Sequence, residues 1–143
     1  MSFATCVYVM LGGALGTLAR YTISALMLPY SREMPWGTVL INATGSLLIG
    51  LFGTLTLANG RYPVPEGLRL FVMIGFCGGY TTFSSFSLQT LDLLRAGGYG
   101  RAALNIGASV ALCIAAVSVG HLIAARLNGE ASRIAQTALE EEG

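Results

Sequence analysis

Four stretches of the chain contain no Asp, Glu, Lys or Arg: Ser2 to Ala19, Gly37 to Ala58, Leu70 to Leu91 and Ala102 to Ala125. Each reaches the roughly 18 to 20 residues that a membrane-crossing helix needs. Irregular backbone cannot face lipid, because its amide and carbonyl groups find no water there. The chain is therefore expected to be all-α, with four transmembrane helices that each run a few residues past the charge-free window. Only 10% of the residues are charged, against about 25% in an ordinary soluble domain, which argues against a soluble fold. The first window has no basic segment ahead of it and no small-residue cleavage site after it, so it reads as a span and not as a secretory leader.

The connections are short and rich in turn residues: Pro29 to Pro35, Asn59 to Glu66 with Pro63 and Pro65, and Arg95 to Arg101 with Gly97, Gly98 and Gly100. Such loops make consecutive spans antiparallel and place both termini on one side. Trp36 and Tyr99 fall where interfacial aromatics belong. Residues 1–126 form one four-helix transmembrane domain, and residues 127–143 form a polar tail that is either a short amphipathic helix or disordered. Cys6, Cys77 and Cys113 lie inside apolar helices and read as free, buried thiols.

Orientation follows the Arg and Lys bias of the flanking loops. The chain has eight Arg and no Lys: Arg61, Arg69, Arg126 and Arg133 fall on the side of the termini, and Arg20, Arg32, Arg95 and Arg101 on the other. Four against four is either a weak signal for one orientation or the signature of dual topology, in which copies insert both ways and pair as an antiparallel homodimer.

Small and polar residues sit where packing or chemistry needs them. Gly12 and Gly16 form a G-x-x-x-G pair in the first span, and Gly75 and Gly79 another in the third. Thr38 and Asn42 share a face of the second span, and Asn105 and Ser109 do so in the fourth. A buried Asn needs a partner, either another helix or something passing by. His121 reads as a satisfied or interfacial residue. The third span carries Gly75-Phe-Cys-Gly-Gly-Tyr-Thr-Thr-Phe-Ser-Ser-Phe-Ser87, in which Gly78-Gly79 is a plausible stop for the helix and Thr81-Thr82 can cap its restart. Carbonyls freed at such a break make a site for a hard cation such as Na+. Phe83 and Phe86 share a face beyond it, and their ring edges carry the partial positive charge that suits an anion. No acidic residue lies in the central turns of any span, which argues against proton-coupled cation transport.

Three segments, residues 13–21, 36–45 and 75–87, closely resemble the CrcB/Fluc family of fluoride channels, and the resemblance runs in order from about Gly12 to Ser109. It implies a passive fluoride-selective channel of the inner membrane, built as a dual-topology antiparallel homodimer with two pores and one structural, untransported Na+ at its centre. By position in the motifs, the Na+ ligands fall on the backbone carbonyls of Gly78 and Thr81 of both subunits. The pore phenylalanines fall on Phe83 and Phe86, the pore asparagine on Asn42, and a vestibule arginine on Arg20. Thr38, Ser84 and Ser109 match polar positions near the pathway. Asn105 and Gln89 depart from the family pattern, which has Tyr in some members at the first position and Glu in many at the second.

Fluoride is small and strongly hydrated, so a pore must replace its water with closely placed donors: the Asn42 amide, Ser or Thr hydroxyls and Phe ring edges. No chemical step is involved, so no enzyme is expected. With the cell interior negative, passive flow exports fluoride from the cytoplasm. The principal rival, a small dual-topology drug exporter, would want a Glu in the middle of the first span, which has none. A scaffold subunit would explain the small-residue faces but not the hydroxyl-rich segment.

Overall fold

The computed structural model describes residues 2–57 and 62–141, with side chains through residue 129. Among these the chain is entirely helical outside its turns. The order is α1 (Phe3–Leu26), a 3-10 turn (Leu28–Tyr30), α2 (Trp36–Leu55), α3 (Glu66–Arg69), a π-helical segment (Leu70–Cys77), α4 (Gly78–Tyr80), α5 (Phe83–Arg95) and α6 (Tyr99–Glu141). Four segments are long and apolar enough to cross a bilayer: Phe3–Leu26, Trp36–Leu55, Glu66–Arg95 and Tyr99–Gly129. Each contains or overlaps one charge-free window. The polar tail continues α6 as backbone helix through Glu141, with no break at the expected boundary after residue 126. Arg61 lies outside the described residues.

The spans associate as two pairs, each parallel within itself. In lipid no hydrophobic force drives helices together, so close backbone approach has to supply van der Waals contact. The G-x-x-x-G segments of α1 and the third span supply it, Gly12 against Gly75 and Gly79 against Gly13. A methyl group added at Gly75 would stand 2.8 Å from the Val9 carbonyl oxygen and 2.9 Å from Gly12 Cα. One added at Gly12 or Gly16 would collide with the Phe71 or Phe76 carbonyl. Because Gly12 meets Gly75 and Gly16 meets Phe76 and Tyr80, α1 and the third span run in the same direction. The second pair is α2 with α6, where Gly50 rests on the Val117 backbone and Gly120 on that of Leu47 and Leu51. One turn further, Thr54 Oγ1 bonds His121 Nδ1 at 2.9 Å, which satisfies the histidine.

Helix ends are closed by identifiable groups. Ser31 Oγ accepts the Gly37 amide at 3.0 Å as α2 begins. At its other end Arg69 donates to the Gly53 carbonyl (3.2 Å), the Thr56 carbonyl (2.8 Å) and Thr56 Oγ1 (2.7 Å). A cation there satisfies orphan carbonyls and opposes the negative end of the helix dipole. α5 stops in a Schellman motif: Gly98 N donates to the Leu93 carbonyl at 2.9 Å and Gly97 N to that of Leu94 at 3.0 Å. Gly97 takes φ +73° to do so, a conformation that side-chain-bearing residues rarely adopt.

The core is thin and the outside apolar. Ile41, Val39, Cys77, Ala102 and Ala124 are buried, whereas most Leu and Ile on α1, α5 and α6 are exposed. Cys77 is buried as expected, but Cys6 and Cys113 are only half-buried, because the chain is too thin to enclose them.

Candidate functional site

One side chain organises the middle of the third span. Asn42, on α2, donates from Nδ2 to the Thr82 carbonyl at 3.1 Å and accepts the Thr82 amide on Oδ1 at 2.7 Å. In a continuous helix that amide would bond the Gly78 carbonyl. Thr81 and Thr82 are instead extended, with ψ 159° and φ −152° respectively, between the end of α4 and the start of α5. Thr82 then caps α5, its Oγ1 accepting the Ser85 amide at 3.1 Å. That amide in turn is lost to the Thr81 carbonyl. Among the described residues, neither the Gly78 nor the Thr81 carbonyl accepts a hydrogen bond.

Gly45 makes room for this arrangement, since a Cβ there would strike the Thr81 methyl group. Thr81 Oγ1 is turned back to the Cys77 carbonyl at 2.9 Å. Gly78 is exposed, with open space where a side chain would begin.

Asn42, Gly78, Thr81, Phe83, Phe86 and Ser109 share one cavity of about 470 Å³. Among the described residues, no Asp, Glu, His, Lys or Arg lines it. Phe83 is 78% exposed, and its ring lies 5.3 Å from that of Phe86 at a tilt of 47°, so edges as well as faces are presented. One Asn42 amide proton remains uncommitted. Ser109 Oγ is buried without a partner.

A second cavity, of about 510 Å³, opens where α1 ends and α2 begins, and Thr38, Gln89, Arg32, Arg101, Glu33 and Asp92 line it. Thr38 is one turn from Asn42, and Gln89 is one turn from Phe86, so α2 and α5 each carry a polar residue from one cavity toward the other.

Seven of the nine residues picked out from sequence fall on these two cavities, Thr38 on the second and six on the first. Ser84 and Arg20 do not. Ser84 is exposed, with its Oγ 3.2 Å from Thr82 Oγ1, and Arg20 is half-buried on α1 and lines neither cavity. Sequence reasoning treated Thr82 only as a cap and passed over Thr90. The signal for Thr82 was present: a buried Asn needs a donor and an acceptor, and a helix stop frees one of each.

Four apolar spans, three of which line a cavity walled by amide, hydroxyl, carbonyl and aromatic groups, define a multi-pass membrane transport protein. The family model described as "CrcB-like protein, Camphor Resistance (CrcB)" matches residues 7–121. The chain belongs to the CrcB family. It is 68% identical over 143 residues, 100% of both chains, to a protein of Methylobacterium radiotolerans named "Fluoride-specific ion channel FluC". A protein of the same name from Gluconobacter oxydans is 67% identical over 99% of both chains. One from Methylocella silvestris is 54% identical over 85% of this chain and 93% of its own. These relatives are ion channels and not enzymes, and with four apolar spans the protein is a multi-pass protein of the inner membrane.

Proposed function

We propose that this protein is a passive, fluoride-selective channel that lets fluoride leave the cytoplasm down its electrochemical gradient. The observation that carries the reading is the cavity shared by Asn42, Phe83, Phe86 and Ser109, which offers amide, hydroxyl and ring-edge donors and no full charge. A small anion loses its water there and gains several weak partners in exchange, while a Lys or Arg at the same depth would hold it too tightly for fast release. Chloride, being larger, fits a narrow donor-lined path poorly.

The working unit in this reading is an antiparallel homodimer with a structural Na+ at its centre. The carbonyls of Gly78 and Thr81 suit a hard cation, because their usual amide donors are taken by Asn42 and Thr82. One chain offers too few oxygens at this place, and a second copy supplies the same pair. When bound, the ion adds fixed positive charge to the protein interior, which lowers the cost of bringing an anion in. The exposed Gly78 and Phe83 and the even division of arginines between the two sides support an antiparallel partner.

The deciding experiment is fluoride efflux from proteoliposomes, followed with a fluoride electrode. Wild-type protein is expected to pass fluoride and exclude chloride, and Phe83→Ile or Phe86→Ile to stop the flux. Chloride passing as readily as fluoride, or intact flux in both variants, overturns the reading.

A further inference from the structure

α5 is tied to the bundle by two polar anchors, and both phenylalanines sit between them. Asn42 holds the Thr82 peptide at its start. Two turns on, Thr90 Oγ1 lies 2.7 Å from the Phe86 carbonyl and 2.9 Å from Asn105 Nδ2. Counting protons fixes the direction of these bonds. The carbonyl can only accept, so the one Thr90 hydroxyl proton goes to it, and Thr90 must accept from Asn105. Asn105 therefore presents its amide nitrogen to α5. Its Oδ1 stays buried without a donor, and so does Ser109 Oγ one turn along α6.

Burying an unpaired oxygen is costly, and an apolar residue at 105 would fill the same seam without that cost. What the amide achieves is a connection from α6, through Thr90, to the backbone of Phe86. A threonine bonded to the carbonyl four residues back also bends its helix locally, so this contact acts on the direction of α5 at Phe86. Asn105 is 1% exposed and lines neither cavity, so it reaches the pathway only through Thr90.

We propose that Thr90 and Asn105 are positioning residues for Phe86, forming a relay from α6 that sets the angle at which its ring enters the cavity. This rests on the reading of Phe86 as a pathway residue. The test compares Asn105→Leu and Thr90→Val, alone and together, with Thr90→Ser, which keeps the hydroxyl. Two quantities are read: fluoride efflux, and the 19F resonance of 4-fluorophenylalanine placed at position 86. Each of the first two variants is expected to slow efflux about 3- to 18-fold, the range that one interhelical hydrogen bond in a membrane protein covers. Each should also shift the 19F line. The double variant should be no slower than the slower single one, and Thr90→Ser should stay within about twofold of wild type. An unshifted line in Asn105→Leu, or additive losses in the double variant, overturns the proposal. If Asn105→Leu fails to fold, the line positions of Thr90→Val and Thr90→Ser decide: a difference supports the relay, and coincidence overturns it. A shifted line in protein that conducts no fluoride even as wild type supports the relay and refutes the conduction reading.

Discussion

Asn42 grips the Thr82 backbone on both sides of its Cα, and the two bonds, 3.1 Å to its carbonyl and 2.7 Å from its amide, join residues 40 apart in the chain. The side chain replaces two partners that a continuous helix would have provided. It thereby decides which carbonyls of the third span stay free and where α5 begins.

Replacing Asn42 by Leu removes both bonds and leaves the Thr82 amide free to return to the Gly78 carbonyl. Fluoride efflux is expected to fall at least about tenfold, since two interhelical hydrogen bonds of about 0.6 to 1.7 kcal/mol each are lost. Asn42→Asp keeps the acceptor but places a negative charge on the cavity, so it should be no better. Efflux within twofold of wild type in Asn42→Leu would remove this residue from the mechanism.

The α1 seam predicts a contrast between glycines. In Gly75→Ala the new methyl meets only backbone, at 2.8 Å and 2.9 Å, and backbone cannot swing aside. A loss of about 1 to 3 kcal/mol is expected from forcing the helices apart. Gly100→Ala meets nothing within 4 Å and should be neutral or slightly stabilising. Thermal unfolding in detergent separates the two, and equal melting temperatures would contradict the packing described.

Arg69 caps α2 through three acceptors. Arg69→Gln should cost about 1 to 2 kcal/mol, with the earliest loss of amide hydrogen-exchange protection in the last turn of α2. Arg69→Lys should fall between, because an ammonium neutralises the helix end without the planar fork.

Sodium should stabilise the protein if it occupies the carbonyl site. A ligand that binds only the folded state raises stability with the logarithm of its concentration, by about 2.7 kcal/mol at 100 times its Kd. The melting temperature is therefore expected to climb as Na+ replaces N-methylglucamine at constant ionic strength. A melting temperature indifferent to the exchange counts against a sodium site.

The sequence made the spans legible because charge is so costly in lipid that its absence marks them directly. It also showed each G-x-x-x-G pair, but not that Gly12 meets Gly75 or that Gly79 meets Gly13, since small residues carry no label for their partner. Asn42 stood out as a buried amide, whereas Thr82 did not, because its role depends on a contact with another helix. The π-helical run Leu70–Cys77 had no readable cue either: it is apolar all round, so no periodicity reports how tightly it winds. Ser84 and Arg20 were placed by resemblance, and neither is among the residues lining the two cavities.

On the proposed reading the middle of the pathway lies in a cavity with no Asp, Glu, His, Lys or Arg among its described lining residues. Such a wall has no carboxylate, imidazole or amine with which to couple an ion to a proton gradient. On the proposed reading, the lowest internal level the cell can reach is set by its own voltage. At about 2.3 kcal/mol per charge for each 100 mV, an interior 100 mV negative holds internal fluoride about 50-fold below external. Protection therefore weakens as soon as the membrane depolarises, however many copies of the protein are present.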